Sequence, residues 1–232
     1  MSSIVIIPAR GGSKRIPKKN IRDFCGKPMI AYSIETALET KLFDEIHVSS
    51  DCDETISIAK EYGVTSLFKR PLSLADDKTP LVPVVRWVLT EYRKHNKEFN
   101  DVFLLMPCAP LIKADLICQA YELYMENDRE LPVLSVAKYP APVEWGFNMG
   151  EDKVLTEREP GSFLIRSQDI SKAYFDAGVF AVFPSKIIMH PDYMGGGKML
   201  GAIIPPHLAI DIDDPDDLSF AEIVYKGLEH VQ

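Results

Sequence analysis

With 232 residues, of which 46% are hydrophobic and 26% charged, the chain is long enough to bury one sizeable core. A net charge of −8 argues against a nucleic-acid binder, and no apolar run reaches the length needed to span a membrane. The first residues lack the basic and apolar regions of a signal peptide, so a cytoplasmic chain is expected. Cys25, Cys52, Cys108 and Cys118 are scattered without metal-site spacing and read as reduced thiols.

Taken in chain order, the pattern alternates strands with helices. Ile4–Pro8 reads as a buried strand. It runs into a glycine-containing loop carrying Arg10, Lys14 and Lys19. Gly11 and Gly12 let that backbone turn sharply and bring its N–H groups close to anionic oxygens, while the cations neutralise a polyphosphate. No Gly-Lys-Ser/Thr follows at Walker spacing, and there is no Gly-x-Gly-x-x-Gly. Pro28–Thr40 reads as a helix with Ile30, Ile34, Ala37 and Leu38 on one face. Glu45–Ser50 is the second strand, and Cys52–Tyr62 the second helix, stopped by Gly63. A short strand is expected near Thr65–Phe68, then a loop over Arg70–Thr79 and a helix from Pro80 to Lys94. Val102–Met106 reads as a strand, Ala114–Glu126 as a helix and Leu131–Lys138 as a strand. From Tyr139 to Tyr174 prolines, aromatics and charges mix, which suggests an inserted β-rich excursion or an active-site lid. Val179–Phe183 and Leu208–Ile212 return as strands, and Pro215–Glu229 closes as a helix. This alternation predicts an α/β fold with a mostly parallel sheet and helices on both faces.

Two further clusters carry chemistry. Ser50 and Asp51 stand at a strand's carboxyl end, where open α/β sheets bind ligands, although Asp51 could equally cap the next helix. In Ala209-Ile210-Asp211-Ile212-Asp213 the two carboxylates, at i and i+2 of a predicted strand, face the same way. Like charges so placed need a cation, and Mg²⁺ or Mn²⁺, hard ions that take carboxylate and phosphate oxygens together, fit. Asp214, Asp216 and Asp217 read instead as favouring the amino terminus of the last helix.

The segment Ala9-Arg10-Gly11-Gly12-Ser13-Lys14, followed by Lys19-Asn20, resembles the signature of cytidylyltransferases that activate nonulosonic (sialic-type) acids. The resemblance covers essentially the whole chain. It implies a Rossmann-like, nucleotide-diphospho-sugar-transferase-like fold, with one nucleotidyltransferase domain over residues 1–232 and an inserted excursion at 139–174. It also implies that CTP is bound by Ala9, Arg10, Gly11, Gly12, Ser13, Lys14, Lys19 and Asn20, with Ser50 and Asp51 bordering the pocket. Arg70 of the Lys69-Arg70-Pro71 stretch and Thr79 would surround the cytosine, and Lys19 would contact the leaving pyrophosphate. Asp211 and Asp213 match the family's metal-binding pair. Arg10, Lys19, Asp211 and Asp213 are thus the expected catalytic set.

Within that family, Met106-Pro107-Cys108-Ala109-Pro110-Leu111 stands where neuraminate enzymes typically read Gln-Pro-Thr-Ser-Pro-Leu-Arg. The apolar Met106, Tyr139-Pro140, Arg166-Ser167-Gln168-Asp169 and Asp176-Ala177-Gly178 are similar to the branch that activates pseudaminic acid. Arg166 is then expected to pair with the sugar carboxylate, and Gln168 and Asp176 to read its hydroxyl or acylamino groups. Legionaminic, neuraminic and KDO-type acids stay open as substrates, and an idle nucleotide-binding scaffold stays open as a non-enzyme reading. The resemblance further implies a homodimer in which the excursion reaches the partner's sugar pocket.

Overall fold

The computed structural model describes residues 2–231. In chain order its strands are β1 (Ser3–Pro8), β2 (Asp23–Phe24), β3 (Lys27–Pro28), β4 (Glu45–Ser49), β5 (Asp101–Leu105), β6 (Val133–Lys138), β7 (Phe147–Met149), β8 (Leu155–Glu157), β9 (Tyr174–Pro184) and β10 (Leu200–Ile203). The helices are α1 (Met29–Thr40), α2 (Asp53–Glu61), α3 (Leu81–Lys94), α4 (Ala114–Glu126), α5 (Ser185–Ile188) and α6 (Pro215–Val231). Six strands form the main sheet in the order β10-β6-β9-β5-β1-β4. β1 pairs in parallel with β4 and β5, and β10 with β6, whereas β9 runs antiparallel to both its neighbours.

β1 is buried along its whole length, as its apolar Ile-Val-Ile-Ile run requires of a strand covered on both faces. Its period of two splits the core: Val5 and Ile7 pack with buried residues of α1, α2, α4 and α6, and Ile4 and Ile6 with those of α3 and α5. Each fully buried isoleucine contributes roughly 1.5–3 kcal/mol relative to exposure. Phe24, Tyr32 and Tyr225 meet edge-on at 5.3–5.5 Å and fasten α6 to α1 and the β2–β3 hairpin. No helix among the described residues is long and apolar enough to cross a membrane.

Several expectations need correction. Thr65–Phe68 is not a strand. It is held beside β4 by a side-chain bond from Ser66 Oγ to the Val48 carbonyl (2.7 Å), and a main-chain bond from Arg70 N to Ser50 O (2.8 Å) follows, with no ladder between them. Leu208–Ile212 is not a strand either. Pro205 and Pro206 remove two donors, and the Leu208 and Ala209 N–H groups turn back onto their carbonyls at 2.9 and 3.2 Å. Leu208, Ile210 and Ile212 are nonetheless buried, so their alternation reports burial and not a ladder. The sheet takes Leu200–Ile203 instead, a stretch without a strand signal. Leu38, grouped with Ile30, Ile34 and Ala37 on one face of α1, is exposed where they are buried. β9 begins at Tyr174, well before the expected Val179, and bulges against β6, because Leu134 pairs with Ala181 while Val136 pairs with Asp176. Gly178, in the bulge, has a φ of 66°, where an L side chain is strained. The 139–174 segment holds the short β7–β8 hairpin and three one-turn 3-10 helices.

His47 on β4 is fully buried, and its Nδ1 lies 3.2 Å from the Tyr92 hydroxyl, which itself donates to Glu45 (3.1 Å). Nδ1 therefore carries the proton, and Nε2 is a bare acceptor without a partner. Burial, with the nearby Arg70 charge adding, lowers its pKa to about 3. Below the ordinary value near 6.5 the unfolded chain takes up a proton that the folded one refuses, so stability falls as pH drops from about 6.5 towards about 3. In urea denaturation at pH 7 and pH 4.5, His47→Leu is expected to lose less stability between the two than the wild type, by on the order of a few kcal/mol. Identical losses would exclude His47 as the source.

Candidate active site

Because β1, β4 and β5 are parallel neighbours, their carboxyl ends open on one side of the sheet, and the loops that follow them meet there. The ladder extends one bond beyond β1, from Ala9 N–H to the Ser49 carbonyl at 2.9 Å. The chain then turns away. The Gly11 N–H donates to Asp51 Oδ1 at 2.9 Å, and a Cβ built on Gly11 would fall 2.9 Å from that of Cys52. Gly11 is thus required because the loop backbone lies directly on the β4–α2 turn. From the other side the buried Asn20 donates through Nδ2 to the Arg10 carbonyl at 3.0 Å.

Held this way, the loop directs four cations to two carboxylates. Arg10 bridges to Asp77 at 2.7 Å, and Lys14 bridges to the same group. Arg15 contacts Asp213 Oδ2 at 2.7 Å, and Lys19 contacts Asp213 Oδ1 at 3.0 Å and the Ile212 carbonyl at 2.6 Å. Between the two groups lies a cavity of about 200 Å³. Arg10, Ser13, Lys14, Lys19, Asn20, Arg70, Thr79 and Asp213 line it, together with Arg15, Asp76, Asp77, Met106 and Cys108. The hydrogen bonds from Lys14 and Arg10 lower the pKa of Asp77. Burial pushes Asp213 up, but its bonds to Lys19 and Arg15 outweigh this and leave it below the usual carboxylate range. Asp76 is also lowered, by the Thr79 hydroxyl first and then by the Lys78 and Thr79 N–H groups.

Arg70 reaches the cavity while buried. Its Nε donates to Ser49 Oγ (3.0 Å) and its Nη2 to the Ser49 carbonyl (2.6 Å). Burial lowers its pKa to about 10, which leaves it charged at neutral pH. Ala9, Gly11, Gly12, Ser50 and Asp51 are not among the lining residues. Asp51 braces Gly11 and supports the loop from behind, whereas Ser50 Oγ accepts the Cys52 N–H at 3.0 Å within its own β4–α2 turn; no side chain caps α2. Asp211 lies behind Cys108, whose Sγ is 3.0 Å from its Oδ1. Burial raises the Asp211 pKa against the Cys108 hydrogen bond, and the Asp213 charge adds to the rise.

The bulge in β9 sets Gly178 against Asp211, and Asp176 Oδ1 accepts the Gly178 N–H at 2.8 Å. Arg166 and Gln168 are exposed in the 139–174 excursion, outside the cavity, where Arg166 pairs with Asp169 at 2.9 Å. Sequence reasoning missed Arg15, which carries the same charge as its neighbours. It gave no counter-ion role to Asp77, although the stretch that holds Asp76 and Asp77, between Arg70 and Thr79, resembles the family's surround of the cytosine; only the chain's return brings Asp77 to the basic loop.

A parallel-sheet end with a glycine loop, clustered cations and facing carboxylates defines a nucleotide-phosphate site on an α/β fold. A family model described as cytidylyltransferase matches residues 4–179, so the chain belongs to the cytidylyltransferase family and is a CTP-dependent nucleotidyltransferase. It is 38% identical over 226 residues to pseudaminic acid cytidylyltransferase of Campylobacter jejuni, covering 97% of both chains. It is 36% identical to CMP-N,N'-diacetyllegionaminic acid synthase of the same organism, covering 94% of this chain and 92% of that one. A solved CMP:2-keto-3-deoxy-manno-octonic acid synthetase, complexed with CTP, shares the fold with a TM-score of 0.69 at 16% identity, over 98% of this chain and 100% of that one.

The close approach of Gly11 to Cys52 generates a test. Gly11→Ala should lower CTP affinity, read by calorimetry, by about tenfold, because the loop must shift. Adding Cys52→Gly, which removes the obstructing Cβ, should recover most of the loss. A double variant as weak as the single one would exclude the contact as the cause.

Proposed function

We propose that the chain transfers CMP from CTP to the anomeric hydroxyl of pseudaminic acid, a nine-carbon 2-keto sugar acid, releasing pyrophosphate. The observation that carries this reading is the 38% identity, across 97% of both chains, to the Campylobacter pseudaminic acid cytidylyltransferase. Met106 supports it, because it presents an apolar side chain to the cavity where neuraminate enzymes typically place a glutamine.

In this reading Arg10 and Lys14 leave Asp77, and Arg15 and Lys19 share Asp213, to neutralise the triphosphate. Lys19 accompanies the departing pyrophosphate. Ser13 and Asn20 orient phosphate oxygens, and Arg70 and Thr79 hold the base. The residues supply in-line positioning and charge stabilisation, with no covalent enzyme intermediate. Asp211 and Asp213 fit a divalent cation, Mg²⁺ or Mn²⁺. They are two hard oxygen donors beside a phosphate loop; burial first, and then the Asp213 charge, raises Asp211, and a cation would stabilise its charged form against both. Among the described residues no group of three or more His, Cys, Asp or Glu is placed to hold a metal. Other ligands would therefore be phosphate oxygens and water, as Mg²⁺ commonly takes. When bound, the ion would offset charge on the phosphates.

With CTP and Mg²⁺, the purified chain should release pyrophosphate at least about tenfold faster with pseudaminic acid than with legionaminic, N-acetylneuraminic or KDO acids. A faster rate with any of the other three would overturn the substrate assignment.

Residues 139–174 are proposed as an arm that pairs two copies about a two-fold axis and brings Arg166 and Gln168 to the partner's sugar site. Its support is apolar exposure: Phe147 is 40% exposed, Met149 62% and Leu164 86%, more than scattered surface residues account for. Trp145 and Phe147 each meet Phe163, at 5.9 and 5.5 Å with the ring planes steeply inclined, a ready anchor for a partner surface. Light scattering should give a dimeric mass, and mixing inactive Asp211→Asn with inactive Arg166→Ala chains should restore activity. A monomeric mass rejects the dimer, and a dimer that stays inactive on mixing rejects the shared site.

A further inference from the structure

We infer that Cys108 is a positioning residue: its thiol donates a hydrogen bond to Asp211 Oδ1 and sets the direction in which that carboxylate meets a divalent cation. The inference rests on the cation reading above.

Three observations converge on it. The Sγ–Oδ1 distance is 3.0 Å, within hydrogen-bonding range for sulfur, and Cys108 is 3% exposed on the cavity wall. The main chain doubles the link, because the Ile212 N–H donates to the Cys108 carbonyl at 3.3 Å and ties the Asp211–Asp213 segment to the end of β5. On the far side Gly178 forms a wall. A Cβ built there would stand 3.0 Å from Asp211 Oδ2 and 3.3 Å from Asp211 Cβ, and its positive φ disfavours any side chain at that position.

One carboxylate oxygen thus meets a donor and the other meets bare backbone, so the group is restrained in rotation with a single directed bond. No other role accounts for the thiol. An aliphatic side chain would fill the same space but could not donate. Carboxylates that hold metals are themselves hydrogen-bonded, and those partners tune affinity.

The test is Mn²⁺ binding to the full chain, free and with CTP, followed by electron paramagnetic resonance without turnover. Cys108→Ala should weaken Mn²⁺ binding by about tenfold. Cys108→Ser keeps a donor and should bind Mn²⁺ close to wild type. Should Cys108→Ala fail to fold, Cys108→Val, which fills the volume without donating, takes its place. Wild-type Mn²⁺ affinity in the donor-less variant would overturn the inference, as would equal weakening in the serine variant, which would mark a packing role. Asp211→Asn separates the two levels: if it binds Mn²⁺ like wild type, the cation reading itself falls, and if it alone loses binding, only the role of Cys108 does.

Discussion

The site depends on the neutralisation of one crowded basic loop. Arg10, Lys14, Arg15 and Lys19 fall within ten residues, and in a fold without a counter-charge they would repel one another. Two carboxylates far away in sequence resolve this, Asp77 taking Arg10 and Lys14, and Asp213 taking Arg15 and Lys19. These pairs are largely exposed, so they add little to stability; what they do is place charge. The cations are thereby assembled around the cavity before any anionic ligand enters it.

That arrangement needs the loop held from beneath. β1 supplies this by pairing in parallel on both sides, which leaves its carboxyl end at the centre of the opening. Asp51 and Asn20 then serve as braces. The Asp51 and Asn20 bonds to the loop backbone are short, at 2.9 and 3.0 Å, and they fix where the glycines turn. Residues that the family resemblance would assign to the nucleotide thus include a second set whose contacts are with the loop itself.

Behind Cys108, Asp211 is backed by the antiparallel β9. A strand in this orientation arrives from the excursion and leaves into the core, so it can deliver Gly178 beside Asp211, with Asp176 accepting the Gly178 N–H. Its bulge against β6 creates the offset, and Ser135 satisfies the Phe180 N–H that the bulge would otherwise orphan, at 3.1 Å. One strand thereby links the excursion, with its exposed apolar groups, to the carboxylate pair.

Local physics was legible in the linear order of residues wherever one segment carries its own signal. The apolar run of β1, the glycine and cation loop, and the extent of α4 at Ala114–Glu126 all follow from composition and period. The basic loop and the Asp211–Asp213 pair pointed to phosphate and metal chemistry before any contact was known. Other features depended on partners that no local pattern names. Leu208–Ile212 alternates like a strand, yet the two prolines before it and a competing edge at Leu200–Ile203 leave it irregular. Asp77 becomes a counter-ion, Arg15 a partner of Asp213, and Cys108 a donor to Asp211 only because parallel strands bring their loops to one end. Sequence determined which groups could do the chemistry, since charge and backbone freedom belong to single residues. Tertiary structure decided which of them meet, since that depends on strand order and register, and pairings across the sheet leave no mark in a local pattern.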